Sequence, residues 1–193
     1  MEFFSFLKGY LAAPKEVGAF APSSIHLAEV LTEAAHVSKA DTVVEYGPGT
    51  GVFTEVIARK CKPQAKFLSI ELCENFVHVA RQRCPHVNVI HGSAVDTRKY
   101  LEQYGLHSCD CIVSGLPFAN FEGELQDKLL EVSLDVLRPG GIFVTFGYFF
   151  SPYLPKGMRL RRKLQQNFKN VERLPIVWRN APPAFAYRAV KHS

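Results

Sequence analysis

The stretch Glu45-Tyr46-Gly47-Pro48-Gly49-Thr50-Gly51 constrains this chain more than any other. It follows the β-branched run Thr42-Val43-Val44 and precedes a helix-like segment that starts at Val52. A strand, a glycine-rich turn and a helix in that order let backbone approach a nucleotide-like ligand, because glycine permits the tight turn and has no side chain in the way. The spacing is E-x-G-x-G-x-G, not the G-x-G-x-x-G of dinucleotide sites. An acid ahead of the first glycine repels phosphate and suits a ligand that carries positive charge.

Beyond the turn, strand-like and helix-like runs alternate up to residue 150. Strands are expected at 42–46, 66–71, 87–91, 111–114 and 142–149. Helices are expected at 50–61, 74–83, 97–104 and 124–137, the last stopped by Arg138-Pro139-Gly140-Gly141. Such repetition predicts an α/β fold, a parallel sheet covered on both faces, with ligand at the carboxyl ends of the central strands. Two more β-rich runs, 170–178 and 184–190, flank the proline-rich Arg179-Asn180-Ala181-Pro182-Pro183. Ahead of the sheet, Phe3, Phe4, Leu7, Tyr10 and Leu11 recur at helical spacing beside Lys8, and Pro14 ends that helix. A second helix is expected from Ser23 or Ser24 to Ala35, capped by serine.

The chain has 193 residues, enough for one sizeable core and short for two. We therefore expect a single domain, 1–193, with a helical extension over 1–40 and a catalytic core over 41–193. No apolar run is long enough to span a bilayer, and the start lacks the pattern of a secretory signal. The five cysteines form no C-x-x-C pair, so a reduced, cytoplasmic protein without a metal site is expected. Net charge is +5, with Arg159, Arg161, Arg162, Lys163 and Lys169 grouped after residue 155. That group attracts an anionic surface or forms a solvated helix face.

Further chemistry-bearing residues stand at the ends of the expected strands. Glu71, about twenty residues beyond the glycines, can accept hydrogen bonds from ribose hydroxyls. Ser93 in Gly92-Ser93-Ala94-Val95-Asp96 has a hydroxyl suited to a base edge. Ser114-Gly115-Leu116-Pro117-Phe118 follows the fourth strand. Together with the glycine turn, these segments resemble the class I S-adenosylmethionine-dependent methyltransferases. The resemblance implies a Rossmann-like, seven-stranded mixed sheet of order 3-2-1-4-5-7-6 with S-adenosylmethionine as cofactor. It implies that Glu45, Gly47, Gly49 and Gly51 hold the methionine end. It places Glu71 and Leu72 at the ribose, Ser93 and Ala94 at the adenine, and Ser114 near the transferable methyl. Enzymes of this class that methylate nucleic-acid bases carry Asn or Asp where Ser114 stands, and a serine cannot offer the paired amide contacts.

Three segments narrow the resemblance: Gly18-Ala19-Phe20-Ala21-Pro22-Ser23-Ser24, Ser114 to Phe118, and Trp178-Arg179-Asn180-Ala181-Pro182-Pro183-Ala184-Phe185. They look like those of the bacterial phospholipid N-methyltransferases. That likeness implies methylation of phosphatidylethanolamine towards phosphatidylcholine. It also implies a peripheral position on the anionic inner face of the cell membrane, an opening helix touching lipid, no stable protein partner and no nucleic acid. Tyr46, Ser114 and Tyr187 are then the candidates for orienting the amine, and Phe118, Trp178, Arg179 and Asn180 for the head group. The alternatives are an enzyme of the same fold acting on RNA or protein, and a non-catalytic cofactor-binding domain.

Overall fold

The structure is a computed structural model that describes residues 23–193. The expected opening helix at Phe3 to Leu11 and the segment Gly18 to Pro22 lie outside the described residues. Helix α1 (Ile25–Ala34) is capped by Ser24, whose hydroxyl accepts the Leu27 N–H at 3.2 Å. This satisfies one of the donors that a helix start leaves free.

Strand β1 (Thr42–Tyr46) is buried along its whole length, as a central parallel strand must be. The chain continues through α2 (Val52–Lys60), β2 (Lys66–Glu71), α3 (Glu74–Arg83), β3 (Asn88–His91), α4 (Thr97–Gln103), β4 (Cys109–Ser114) and α5 (Gly123–Val136). It then forms β5 (Leu137–Tyr148), α6 (Pro155–Asn167), β6 (Asn170–Arg173) and β7 (Ala184–Val190). The seven strands stand in the order β3-β2-β1-β4-β5-β7-β6. The first five pair in parallel, while β7 runs antiparallel to both β5 and β6. Fold and strand order are those expected from the sequence.

Alternation along the strands divides the apolar residues between two faces. Val44, Ile112 and Phe143 join Leu101, Leu125, Leu129, Leu160 and Leu164 under α4, α5 and α6. Val43, Val113 and Val144 join Leu27, Leu31, Val56 and Ile57 under α1 and α2. Helix α1 is thus part of the layer that covers the sheet. Cys109 and Cys111 sit two residues apart and would share a face in a regular strand. A register shift between them sends Cys109 to the first core and Cys111 to the second.

The same irregularity explains why β5 starts earlier than expected. Leu137 pairs with Cys109 and Ile142 with Cys111, so β5 carries three more residues than β4 across that interval. Pro139-Gly140-Gly141 absorbs them, with Gly140 at φ +71°. The expected strand at 170–178 is cut short at Arg173. Leu174 still donates to the Ala186 carbonyl, but Pro175 has no N–H to continue the ladder, and only an isolated bridge joins Val177 to Ala184. The basic run after residue 155 is a helix, α6, which buries Gly157, Leu160 and Leu164.

Candidate cofactor site

The turn after β1 is built from backbone. Gly47, Gly49 and Gly51 have φ of +67°, +54° and +82°, values that favour glycine. The Gly47 N–H donates to the Ile70 carbonyl at 2.9 Å, which fixes the turn against β2. A Cβ on Gly115, just after β4, would lie 2.5 Å from the Gly47 carbonyl oxygen. The two turns therefore touch main chain to main chain. Beside Gly49 an added Cβ would meet nothing within 4 Å, so space stays open there.

A cleft opens at the carboxyl ends of β1, β2 and β3. Gly47, Glu71, Gly92 and Ser93 line it with polar or backbone groups, and Ile70, Leu72, Ala94, Leu116, Leu125 and Leu129 form its apolar wall. Glu71 is held firmly at this cleft. Its Oε2 accepts the Gly49 N–H at 3.1 Å and its Oε1 the Cys73 N–H at 2.9 Å. Burial pushes its carboxyl above the usual range, and the amides of Cys73, Gly49 and Leu72 pull it part of the way back. Three amides leave the carboxylate one lone-pair site for a ligand hydroxyl. The Ser93 hydroxyl accepts the Val95 N–H at 3.4 Å and so starts the short helical turn that carries Ala94.

These residues fit S-adenosylmethionine. A carboxylate with a free lone-pair site suits a ribose hydroxyl, an apolar wall suits a flat base, and open space beside Gly49 leaves room for the rest. Gly47, Glu71, Leu72, Ser93 and Ala94 meet at the cleft as expected, and Gly49 joins through its bond to Glu71. Gly51 instead serves as the N-cap of α2. Of the other lining residues, Gly92 and Leu116 belong to the marked segments after β3 and β4, whereas Ile70, Leu125 and Leu129 carry no distinguishing sequence signal. Leu125 and Leu129 stand four apart on α5, the spacing of any core-facing helix.

Other residues expected at the site lie away from this cleft. Glu45 is fully buried on the α2 side of the sheet and does not line the cleft. Its Oε2 accepts the Thr54 hydroxyl at 2.8 Å and the Ser69 hydroxyl at 2.7 Å, while Oε1 has no partner. Burial pushes its carboxyl up to about 7, against the lowering effect of the Ser69 and Thr54 bonds and with a smaller upward push from Glu71. What Glu45 does here is tie β1, β2 and α2 together beneath the turn. Tyr46 faces the opposite side, where its ring packs in the core and its hydroxyl lies beside those of Thr97 and Ser133. Ser114 is buried and accepts the Leu116 N–H at 3.2 Å, shaping the turn after β4. Tyr187 packs edge-on against Phe185 at 4.9 Å, and its hydroxyl has no hydrogen-bond partner among the described residues. Phe118 is fully buried against Phe121 and Phe143. Asn180 is a brace: Oδ1 accepts the Ser24 N–H at 2.8 Å and Nδ2 donates to the Pro182 carbonyl at 2.7 Å. Trp178 and Arg179 remain exposed, on the connection into β7.

Residues 43–141 match the methyltransferase domain family. An ornithine lipid N-methyltransferase from Singulisphaera acidiphila is 32% identical over 197 residues, covering 100% of this chain and 98% of that protein. A ribosomal RNA small subunit methyltransferase A from Leuconostoc mesenteroides is 32% identical over 114 residues, covering 56% of this chain and 38% of that protein. Among solved structures, an O-methyltransferase from Bacillus cereus in complex with SAH has a TM-score of 0.68 at 18% identity, covering 99% of this chain and 91% of its own. TomG, the O-methyltransferase of tomaymycin synthesis from Streptomyces achromogenes, was solved with SAM and matches equally well, at 0.68 and 18%, over 96% and 89% of the two chains. A glycine turn, a strand-end carboxylate and a 3-2-1-4-5-7-6 sheet, matched by family and by fold, place this chain among the class I S-adenosylmethionine-dependent methyltransferases.

Proposed function

We propose that the chain transfers the methyl group of S-adenosylmethionine to the amine of a membrane-lipid head group. One observation carries this reading: the likeness to an ornithine lipid N-methyltransferase runs along the whole chain. The ribosomal RNA relative shares only 56% of the chain, so its acceptor chemistry has less to rest on. Phosphatidylethanolamine is the acceptor expected from the sequence, and its methylation leads towards phosphatidylcholine. Ornithine lipid offers the same reacting group, an alkyl amine, and is the second acceptor.

Bound S-adenosylmethionine supplies an activated methyl on a sulfonium, which an amine lone pair can attack in line. The protein's share is positioning and exclusion of water. Glu71 and the glycine turn fix one end of the cleft, and Leu116, Leu125 and Leu129 keep its wall dry. An ammonium must lose its proton before attack. Tyr46 and Tyr187 are sealed in the core, so backbone carbonyls of the turn after β4 are left to orient the amine. The reaction takes place at the membrane surface, on its cytoplasmic side.

The test is methyl transfer from labelled S-adenosylmethionine to detergent-dispersed phosphatidylethanolamine, ornithine lipid and bulk RNA in parallel, with head groups separated afterwards. Label in an amine lipid is the expected outcome, and the ratio between the two lipids assigns the acceptor. Label in RNA with none in either lipid overturns the reading.

A further inference from the structure

The edge that holds the cofactor cleft continues past it into a second surface. Strand β5 runs parallel to β4 and β1, so its carboxyl end lies on the same edge of the sheet as the glycine turn. Beyond that end, large apolar side chains stand in solvent. Tyr153 is 80% exposed, Trp178 70% and Met158 53%, with Phe149, Phe150 and Leu154 also exposed. Such a group is rare on a soluble surface unless something covers it.

The surface is a built platform. Phe150 stacks on Tyr148 at 5.9 Å and meets Phe149 edge-on at 5.5 Å. Phe149 donates its N–H to the Pro183 carbonyl at 2.9 Å, which seats the Trp178 connection over the end of β5. Asn180 ties the same connection to Ser24. Helix α6 continues the surface. Beside its buried Gly157, Leu160 and Leu164, the positions Leu154, Met158, Arg161, Arg162 and Gln165 are exposed at helical spacing. That stripe passes from apolar to cationic along the helix.

Charge selects the occupant. Helix α6 contains no acidic residue. Lys156 is paired with Glu122, and Arg159 and Lys163 with Asp127. Arg161, Arg162 and Arg179 form no ion pair within the described residues. Aromatic side chains with polar tips, beside arginines that form no ion pair among the described residues, match the layered chemistry of an anionic bilayer, an apolar interior below a negatively charged head-group zone.

We infer that this surface docks onto an anionic lipid bilayer, with Trp178, Tyr153, Leu154 and Met158 inserted and Arg161 and Arg162 at head-group level. The inference rests on the lipid reading of the cleft only in its consequence: docking turns the cleft edge of the sheet towards the membrane that holds the acceptor. It adds to the site a surface for the bilayer itself.

Trp178 is the only tryptophan of the chain and reports directly. The full chain is mixed with vesicles of phosphatidylcholine and phosphatidylglycerol, neither of which has an amine to methylate. Flotation of the protein, a blue shift of Trp178 emission, and quenching by brominated acyl chains are the expected results, all weaker on phosphatidylcholine alone. Tyr153→Ser with Met158→Ser, and separately Arg161→Glu with Arg162→Glu, should each lower vesicle affinity on the order of tenfold or more. These side chains are exposed, so the melting temperature should not move. Methylation of detergent-dispersed lipid should persist in both variants, so loss of docking and loss of chemistry are read apart. Failure to float, flotation with unchanged Trp178 emission, or normal flotation of both variants overturns the inference. Self-association without vesicles that Tyr153→Ser with Met158→Ser abolishes also overturns it, assigning the surface to a second copy of the chain.

Discussion

The two halves of the sheet present different chemistry on the same edge. Over β1 to β3 the edge is a cleft made of glycine backbone, one braced carboxylate and a leucine wall. Over β5 and β7 it is a group of exposed aromatics flanked by arginines that form no ion pair among the described residues. A concave site built from backbone encloses a small cofactor, whereas projecting aromatics suit a broad, yielding surface. Phe118 stands at the junction: it follows β4 yet packs against Phe143 of β5. Phe118→Ala is expected to destabilise the protein by about 3–5 kcal/mol, the usual cost of removing a buried aromatic. Chemical denaturation measures this. A variant of wild-type stability whose only defect is a raised KM for lipid would return Phe118 to the head group and blur the division.

Two acids sharpen the contrast within the cleft half. Glu71 faces the cleft and is held by amides, and Glu45 lies beneath the turn with one oxygen unpartnered. In the folded chain Glu45 titrates near 7, against 4.5 for an ordinary carboxyl. The folded state therefore binds more protons than the unfolded state between these values. Stability is fully present below about pH 4.5 and falls as pH rises to about 7, by on the order of 3 kcal/mol. Glu45→Gln should remove that part of the slope. Urea midpoints of wild type and variant, compared from about pH 5 to pH 8, check it. Parallel profiles would mean that Glu45 is ionised in the fold and that its environment is more polar than the two hydroxyls imply.

A third substitution asks whether the halves act independently. Gly115→Ala places a methyl 2.5 Å from the Gly47 carbonyl, and backbone cannot swing aside as a side chain can. The turns must part, and affinity for S-adenosylmethionine should fall at least roughly tenfold, or about 1.4 kcal/mol, by calorimetric titration. Vesicle flotation should not change. Loss of both would show that the platform depends on the cleft.

What the sequence revealed follows this division. Strands β1, β2 and β7 and helix α3 have the bounds expected, because alternation and apolar periodicity are local signals. Gly47, Glu71, Leu72, Ser93 and Ala94 were legible because each stands at the end of a strand, where chain order alone brings it to the cleft. Glu45 and Tyr46 lie away from the cleft for a tertiary reason. Neighbours on a strand face opposite sides, and the helices above decide which side carries the cleft. Helix α6 was seen only as a charge run, since Leu160 and Leu164 are its sole buried leucines and Gly157 meets Ser151 too closely for any pattern to announce. The exposed platform joins 148–158 to 177–183 through β5 and β7, and no local spacing encodes that meeting.

The smallest expected effect tests the tyrosines. Tyr187 was a candidate for orienting the amine, yet it lies in the antiparallel half, between Phe185 and the residues of β5. Its hydroxyl is buried and has no partner among the described residues, and burial raises its pKa above the ordinary value. A buried hydroxyl without a partner is costly, so Tyr187→Phe should leave stability unchanged or raise it by up to about 1 kcal/mol. Methyl transfer to lipid should keep its kcat and KM. A fall in kcat at constant stability would bring the hydroxyl into the reaction. It would then require β7 to shift when lipid binds, and the platform and the cleft would be parts of one moving site.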